Sequence, residues 1–299
     1  MRGCLMMGLP LEVRGSGSEP KVAVLTLVQA DRPVVVLDED LMAAVDAALA
    51  SVPEGIRGLV LASGSERSFV AGADLKSIVS KSDEDLRTYL EFGARVFAKL
   101  STMPFPTAAA IRGAALGGGL ELAMHCDGLV AGPSPSGKPY PVGLPECGLS
   151  ICPGWGGTNL LPARAAADVA IEMTSTGRVF LFDQACEADL FDAVAGEGED
   201  VVEAACAWVR GCKTPERDGA PRRWIGRADC RARVAEALEA VRSSVSNTQA
   251  GAAVVDAVGV GLEQGWEAAC RAEREHLIRL RHTPEAKSAI EAFFARSKK

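Results

Sequence analysis

The chain has 299 residues, 48% hydrophobic and 24% charged, enough apolar material for one large core or a core with an appendage, which excludes general disorder. A formal charge of −7 excludes broad binding along a nucleic-acid backbone, which requires a basic face. Nine scattered cysteines with no Cys-x-x-Cys pair, and only three histidines, suggest neither a metal site nor a disulfide framework; reduced thiols and a cytoplasmic location are expected. No stretch approaches the ~20 apolar residues that span a bilayer. The opening MRGCLMMGLPLEVRG is too short and too broken by Gly and Pro for an export signal.

In chain order, Val22 to Val28 (VAVLTLV) is rich in β-branched residues and reads as a strand, and Asp38 to Ala50 has helical spacing after an acidic start. Leu59 to Ala62 reads as a second buried strand. Asp83 to Lys99 reads as a helix whose apolar stripe holds Leu86, Leu90, Val96 and Phe97, and Thr107 to Ile111 as a third strand before a glycine block and a helical run from Leu120 to Cys126. This alternation predicts an α/β core. Beyond about Ala205 the composition changes. Arg210 to Trp224 is a polar connector, and Ala232 to Val245, Gly251 to Ala272 and Pro284 to Arg296 read as helices. The expected division is a core over 1–205 and a helical region over 206–299. Gly259-Val260-Gly261 is not a dinucleotide fingerprint, because the third glycine is absent and no strand precedes it.

Three blocks carry chemistry. In Ser68 to Lys76 (SFVAGADLK), Gly72 permits an unusual backbone and Asp74 can cap a helix, while the Ala73 N–H is a candidate donor to a substrate oxygen. In Ala110 to Asp127, Gly117, Gly118 and Gly119 let a ligand approach the backbone at a helix N-terminus, so Gly118 N–H is a second candidate donor. Glu121, among Leu120, Leu122, Ala123 and Met124, is expected to be semi-buried. In the third block (VGLPECGL), Glu146 also stands among apolar residues. Two carboxylates and two backbone donors are what addition of water to a conjugated thioester needs: one group to activate water, one to deliver a proton, two to hold the oxyanion.

In their order, FVAGADLK, AAIRGAALGGGLELAMHCD, GLPE and PGWGGTNLLP resemble the crotonase superfamily, and the chain from Val22 to Val194 is similar to an enoyl-CoA hydratase. The resemblance implies a crotonase-type ββα-spiral core followed by a helical C-terminal region. It implies catalytic Glu121 and Glu146, an oxyanion hole of Ala73 and Gly118 N–H groups, and substrate contacts from Ala71, Gly72, Asp74, Leu75, Lys76 and Gly117. It further implies an acyl-CoA substrate, with coenzyme A entering as part of the thioester and no metal or separate cofactor. Within the family, glutamates at both positions favour a hydratase, with a Δ3,Δ2-enoyl-CoA isomerase and a non-catalytic acyl-CoA-binding subunit as alternatives.

The sequence departs from the family pattern in two places. Gly132 to Tyr140 lengthens the link between the two glutamates and is expected to be a solvent loop. The tail, HTPEAKSAIEAFFARSKK above all, resembles the helical region after the hydratase core in fused β-oxidation proteins; no dehydrogenase activity is expected, because no dinucleotide motif is present. The assembly is expected to be a homotrimer or hexamer, or a monomer if the C-terminal helices cover the core. His125, Cys126, Cys147, Cys152 and Trp155 are expected to pack, Asp127 to bond a backbone turn, and His276, His282, Arg178, Arg222 and Arg223 to be solvated.

Overall fold

The computed structural model describes residues 8–30 and 32–296. Residues 1–7 of the opening segment considered for an export signal lie outside the described residues, and the rest of that segment includes the strand Leu11–Arg14. The framework is a six-stranded sheet in the order β1-β2-β3-β5-β7-β10. Four of its strands, β2 (Val22–Leu27), β3 (Gly58–Ser63), β5 (Thr107–Ile111) and β7 (Gly128–Ala131), run parallel, with β1 (Leu11–Arg14) antiparallel at one edge and β10 (Ala193–Val194) parallel at the other. These strands read as unbroken apolar runs because both faces are covered. On one face Val22, Val24, Val60, Ala108 and Val130 pack with Ala205, Cys206 and Val209 of a helix over Val201–Gly211. On the other, Leu25, Leu59, Leu61 and Ile111 join the largest core.

The chain alternates between this sheet and a second one of order β4-β6-β8-β9. From β3 it passes to β4 (Ser68–Val70) and then α2 (Leu75–Ser80) and α3 (Asp83–Thr102); α1 (Glu39–Ala50), capped by Asp38, lies earlier, between β2 and β3. From β5 it passes to β6 (Ala114–Leu116) and α4 (Gly118–Met124), and from β7 to β8 (Pro141–Gly143), a 3-10 turn over Glu146–Leu149 and α5 (Gly157–Leu160). Each circuit lays one strand in each sheet and closes with a helix, which is the ββα spiral. Then come α6 (Ala167–Thr176), β9 (Phe180–Leu181), α7 (Phe182–Glu187) and, after β10, α8 (Val201–Gly211), so residue 205 lies inside a helix that covers the first sheet. In the long link between α4 and the 3-10 turn, residues 133–139 are mostly exposed, and the buried Tyr140 anchors their end by donating from its hydroxyl to the Ile111 and Gly132 carbonyls.

The helical region holds α9 (Arg231–Val245), α10 (Gln249–Gln264), α11 (Trp266–Leu280) and α12 (Pro284–Arg296). Gly251 to Ala272 was expected as one helix. The structure breaks it at Gly265, whose φ of 93° only glycine adopts without strain. That break lets α11 fold back on the core, where Leu277 and Ile278 join the same apolar cluster as Leu90 and Trp155. Residues from α9, α10 and α12 form a separate core with Ile151 and Ile171. At the end of α11, the buried Arg281 pairs with Asp83 and donates to the carbonyls of Ile78 (2.6 Å) and Lys81 (2.9 Å), tying the tail to the junction of α2 and α3.

Several residues expected to be solvated have partners. His276 meets Asp256 and His282 meets Asp83, each at 2.7 Å, Arg223 meets Asp192 at 2.7 Å, and Arg178 pairs with Glu172. Gly259 and Gly261 lie inside α10, where a side chain at 261 would overlap Asn159 of α5. Helix rather than a strand-to-helix turn surrounds these glycines, so they do not form a nucleotide loop.

Candidate active site

Three parallel strands of the second sheet end side by side, and the three sequence blocks follow them directly. β4 pairs with β6 and β6 with β8, with Leu116 opposite Gly143, so residues 71–74, 117–121 and 144–149 emerge from one sheet edge, where the carboxyl ends of parallel strands commonly hold ligands. Gly117 N–H donates to the Gly143 carbonyl at 2.9 Å, joining the second and third blocks. Gly117 has φ 51° and ψ −130°, and a Cβ there would overlap Glu146 Oε1. Glycine is therefore required twice over, for its backbone and for the space the Glu146 carboxylate fills.

Ala73 forms a parallel bridge with Leu37, but the bonds are made by its neighbours: Leu37 N–H donates to Gly72 O (2.9 Å) and Asp74 N–H to Leu37 O (2.8 Å). In a parallel ladder this pattern turns Ala73's own N–H to the opposite side. Gly118 opens α4, where an N–H has no acceptor within the helix, and Leu120 and Glu121 N–H both bond to Gly117 O. Asp74 is occupied in capping α2, accepting from Lys76 N–H (3.2 Å) and the Ser77 hydroxyl (3.0 Å), while Lys76 is exposed. Ala71, Gly72 and Leu75 line the same turn and are partly accessible.

Glu121 is 1% exposed. Its Oε1 accepts from the N–H groups of Trp155 and Gly157, both at 2.8 Å. Between and beyond those two donors, Gly156 N–H (2.5 Å) and Thr158 N–H (2.8 Å) donate to another carboxylate, that of Glu273 on α11, which also accepts from the Thr158 hydroxyl. Four consecutive N–H groups thus alternate between Glu121 and Glu273. Glu146, at the start of the 3-10 turn, is partly accessible as a residue, yet its Oε2 is buried and has no hydrogen-bond partner among the described residues.

Burial is the first cause of every pKa shift in this group. It pushes Glu146 up to about 7, with the Glu273 charge adding and a bond to its own backbone N–H opposing. It holds Glu121 well above the ordinary carboxylate range, reinforced by the charges of Glu273 and then Glu146 and opposed by its two backbone donors. It also raises Glu273, against the three donors that surround that carboxylate. The Glu273 charge thus opposes ionisation of both Glu121 and Glu146, and the Glu146 charge opposes that of Glu121. The Cys147 and Cys152 thiols are likewise raised by burial and are not thiolate nucleophiles.

The structure brings Glu121, Glu146, Gly117 and Gly118 together and sets the Ala73 turn beside them, since Gly72 lies against Leu116 at the end of β6. His125 is buried, bonded to Trp155 O (3.0 Å) and near Ser101, and burial lowers its pKa to about 4; it is a neutral packing residue. Trp155 anchors its indole N–H on Leu90 O at 2.9 Å. Asp127 bonds the Thr107 N–H as expected, and also pairs with Arg217 of the connector at 2.7 Å. The sequence reading passed over Glu273. The signal was its phase: with Ala269, Cys270, Leu277 and Leu280 it falls on the buried stripe of α11, where a glutamate is out of place.

The sequence model for "Enoyl-CoA hydratase/isomerase" matches residues 19–218, and the chain belongs to that family, within the crotonase superfamily. A fatty acid oxidation complex subunit alpha from Shewanella loihica is 34% identical over 247 residues, covering 81% of this chain and 35% of the relative; the chain thus spans about a third of the length of the curated relatives it matches. Among solved structures, an enoyl-CoA hydratase from Rhodobacter sphaeroides superposes with a TM-score of 0.67 (19% identity, 96% of this chain and 90% of that one). A carnitinyl-CoA dehydratase from Mycobacterium thermoresistibile superposes with a TM-score of 0.66 (20% identity, 95% and 89%). Both likenesses establish the fold. Among the described residues no helix is long and apolar enough to cross a membrane.

Proposed function

We propose that the protein hydrates the trans-2 double bond of an acyl-CoA thioester. The observation that carries this reading is the pair of buried carboxyls, Glu121 and Glu146, at the edge where three strand ends meet, both raised by burial and both next to backbone N–H groups free of helix or ladder duty. In this reading Ala73 and Gly118 N–H hold the thioester oxygen as charge builds on it, an arrangement worth about 3 kcal/mol per donor. Glu121, with Oε1 fixed by two N–H groups, directs Oε2 at water and takes its proton as oxygen attacks Cβ. Glu146 delivers a proton to Cα. Ala71, Gly72, Asp74, Leu75, Lys76 and Gly117 are assigned to the thioester and its CoA portion.

We assign the chemistry to residues 1–205 and closure of the site to 206–299, in a cytoplasmic chain. The fold of the tail onto its own core supports a monomer, against the trimer or hexamer expected otherwise; light scattering on the eluting protein decides. The unpartnered Oε2 of Glu146 favours one second reading, in which that carboxyl alone shuttles a proton and the enzyme isomerises 3-enoyl to 2-enoyl thioesters. The test is an assay over trans-2-enoyl-CoA thioesters that follows loss of the conjugated chromophore, with Glu121→Gln and Glu146→Gln beside the wild type. Hydration by the wild type that collapses in both variants is expected. Conversion of 3-enoyl substrates that survives Glu121→Gln establishes isomerisation instead.

A further inference from the structure

The buried Glu273 has no part in the mechanism above, yet it meets the active site through the same four-residue turn that holds Glu121. We propose that Glu273 of α11 is a positioning residue: by taking the Gly156 and Thr158 N–H groups and the Thr158 hydroxyl, it fixes the 155–158 turn so that Trp155 and Gly157 N–H orient Glu121 as base. The inference deepens the hydratase reading and rests on it.

The geometry leaves the turn little freedom. Neighbouring peptide N–H groups that point alternately to opposite sides need an acceptor on each side, because a buried N–H without one costs about 1–3 kcal/mol. Glu121 fills one side and Glu273 the other, from a helix 115 residues later in the chain. A side chain with one neutral acceptor oxygen would hold only part of this set, whereas the two oxygens of the Glu273 carboxylate take all three donors. The charge has a second effect: ionised Glu273 repels ionised Glu121 and makes Glu121 a stronger base. The titratable and charged groups facing Glu273 are Glu121 from α4, Glu146 from the 3-10 turn, Cys152 from the loop before α5, and Cys270 and Arg274 from α11 itself. Arg274 alone among them is a cation, and it favours the ionised form.

The test compares wild type, Glu273→Gln and Thr158→Val in kcat, KM and the pH profile of kcat/KM with trans-2-enoyl-CoA. In Glu273→Gln an amide stands where two N–H groups and a hydroxyl need acceptors, so the turn loosens. The expected result is a kcat lower by about 10–100-fold with KM changed less than about threefold, because orientation of the base is lost while substrate binding is kept. The acidic limb moves down by about one pH unit, since Glu121 no longer faces a negative charge. Thr158→Val keeps the carboxylate and both N–H bonds and so keeps the fold; it removes one donor, makes Glu273 hold its proton more readily, and shifts the limb the same way by less. Wild-type kcat and limb position in both variants overturn the proposal, as does a loss shared equally by kcat and KM together with a lower Tm. If Glu273→Gln does not fold, Thr158→Val decides. Titration of the 13C-labelled Glu121 carboxyl in the substrate-free protein keeps this result apart from failure of the hydratase reading. A wild type inert on every thioester sinks hydration, whereas an unmoved Glu121 midpoint in both variants sinks the role of Glu273.

Discussion

Replacing Glu146 by Gln should remove a loss of stability that the wild type suffers as pH rises, while removing its activity. Burial raises the Glu146 carboxyl from an ordinary 4.5 to about 7. Because the folded-state value is the higher one, the folded chain binds more protons than the unfolded chain between those values. The contribution to stability is therefore fully present below about 4.5 and is lost as pH rises to about 7. A shift of that size corresponds to about 3 kcal/mol, most of it expressed between about pH 5 and pH 8. Glutamine does not titrate, so the stability of Glu146→Gln minus that of the wild type should climb by roughly 2–3 kcal/mol over that interval, whatever fixed cost the amide adds. Urea denaturation followed by circular dichroism at a series of pH values measures the difference, and kcat should fall by about 10²–10⁴ in the same variant. A difference that stays level from about pH 5 to pH 8 would refute the argument that burial of this carboxyl opposes its ionisation.

The remaining predictions concern the frame around the site. In the wild type, kcat/KM should decline as pH rises through about 7, because Glu146 must hold a proton to deliver it; a profile level to about pH 9 would remove it as the acid. Gly117→Ala should abolish turnover in a folded chain, since the new methyl takes the place of Glu146 Oε1 and φ is 51° there; steady-state kinetics with circular dichroism reads both halves. Arg164 is buried, donates to the Met124 (3.0 Å) and Cys126 (2.6 Å) carbonyls at the end of α4, and pairs with Asp192 at 3.2 Å. Arg164→Met should cost about 3–5 kcal/mol in urea denaturation, since it strands two carbonyls under the helix that carries Glu121 and leaves Asp192 with Arg223 as its one guanidinium partner.

The framework strands and the helices flanking them were legible because their periods are long enough to read. VAVLTL, GLVLAS and TAAAI are almost wholly buried runs, and α3 repeats its apolar stripe over five turns. The second sheet was not. Its strands span two or three residues, too few for alternation to appear, and β4 and β6 lie inside the two glycine-containing blocks, where glycine rather than an apolar period dominates the pattern. Glu121 and Glu146 stood out because a charge among leucines and glycines is conspicuous. Glu273 did not, because a glutamate in a helix rich in Ala, Glu and Arg looks solvated until the helix phase is known, and that phase depends on the break at Gly265, which the apolar pattern runs straight through.

The shared turn at 155–158 also bears on when the enzyme comes into being. Glu121 and its two donors are 34 and 36 residues apart, but the carboxylate on the other side of the turn arrives 115–117 residues later. A chain emerging from the ribosome at about 5–20 residues per second therefore spends several seconds with the spiral made and the base unsupported. Until α11 docks, Gly156 and Thr158 N–H lack the acceptor that Glu273 supplies in the folded chain. Activity should accordingly appear in one step with docking of α11, later than the secondary structure of the core.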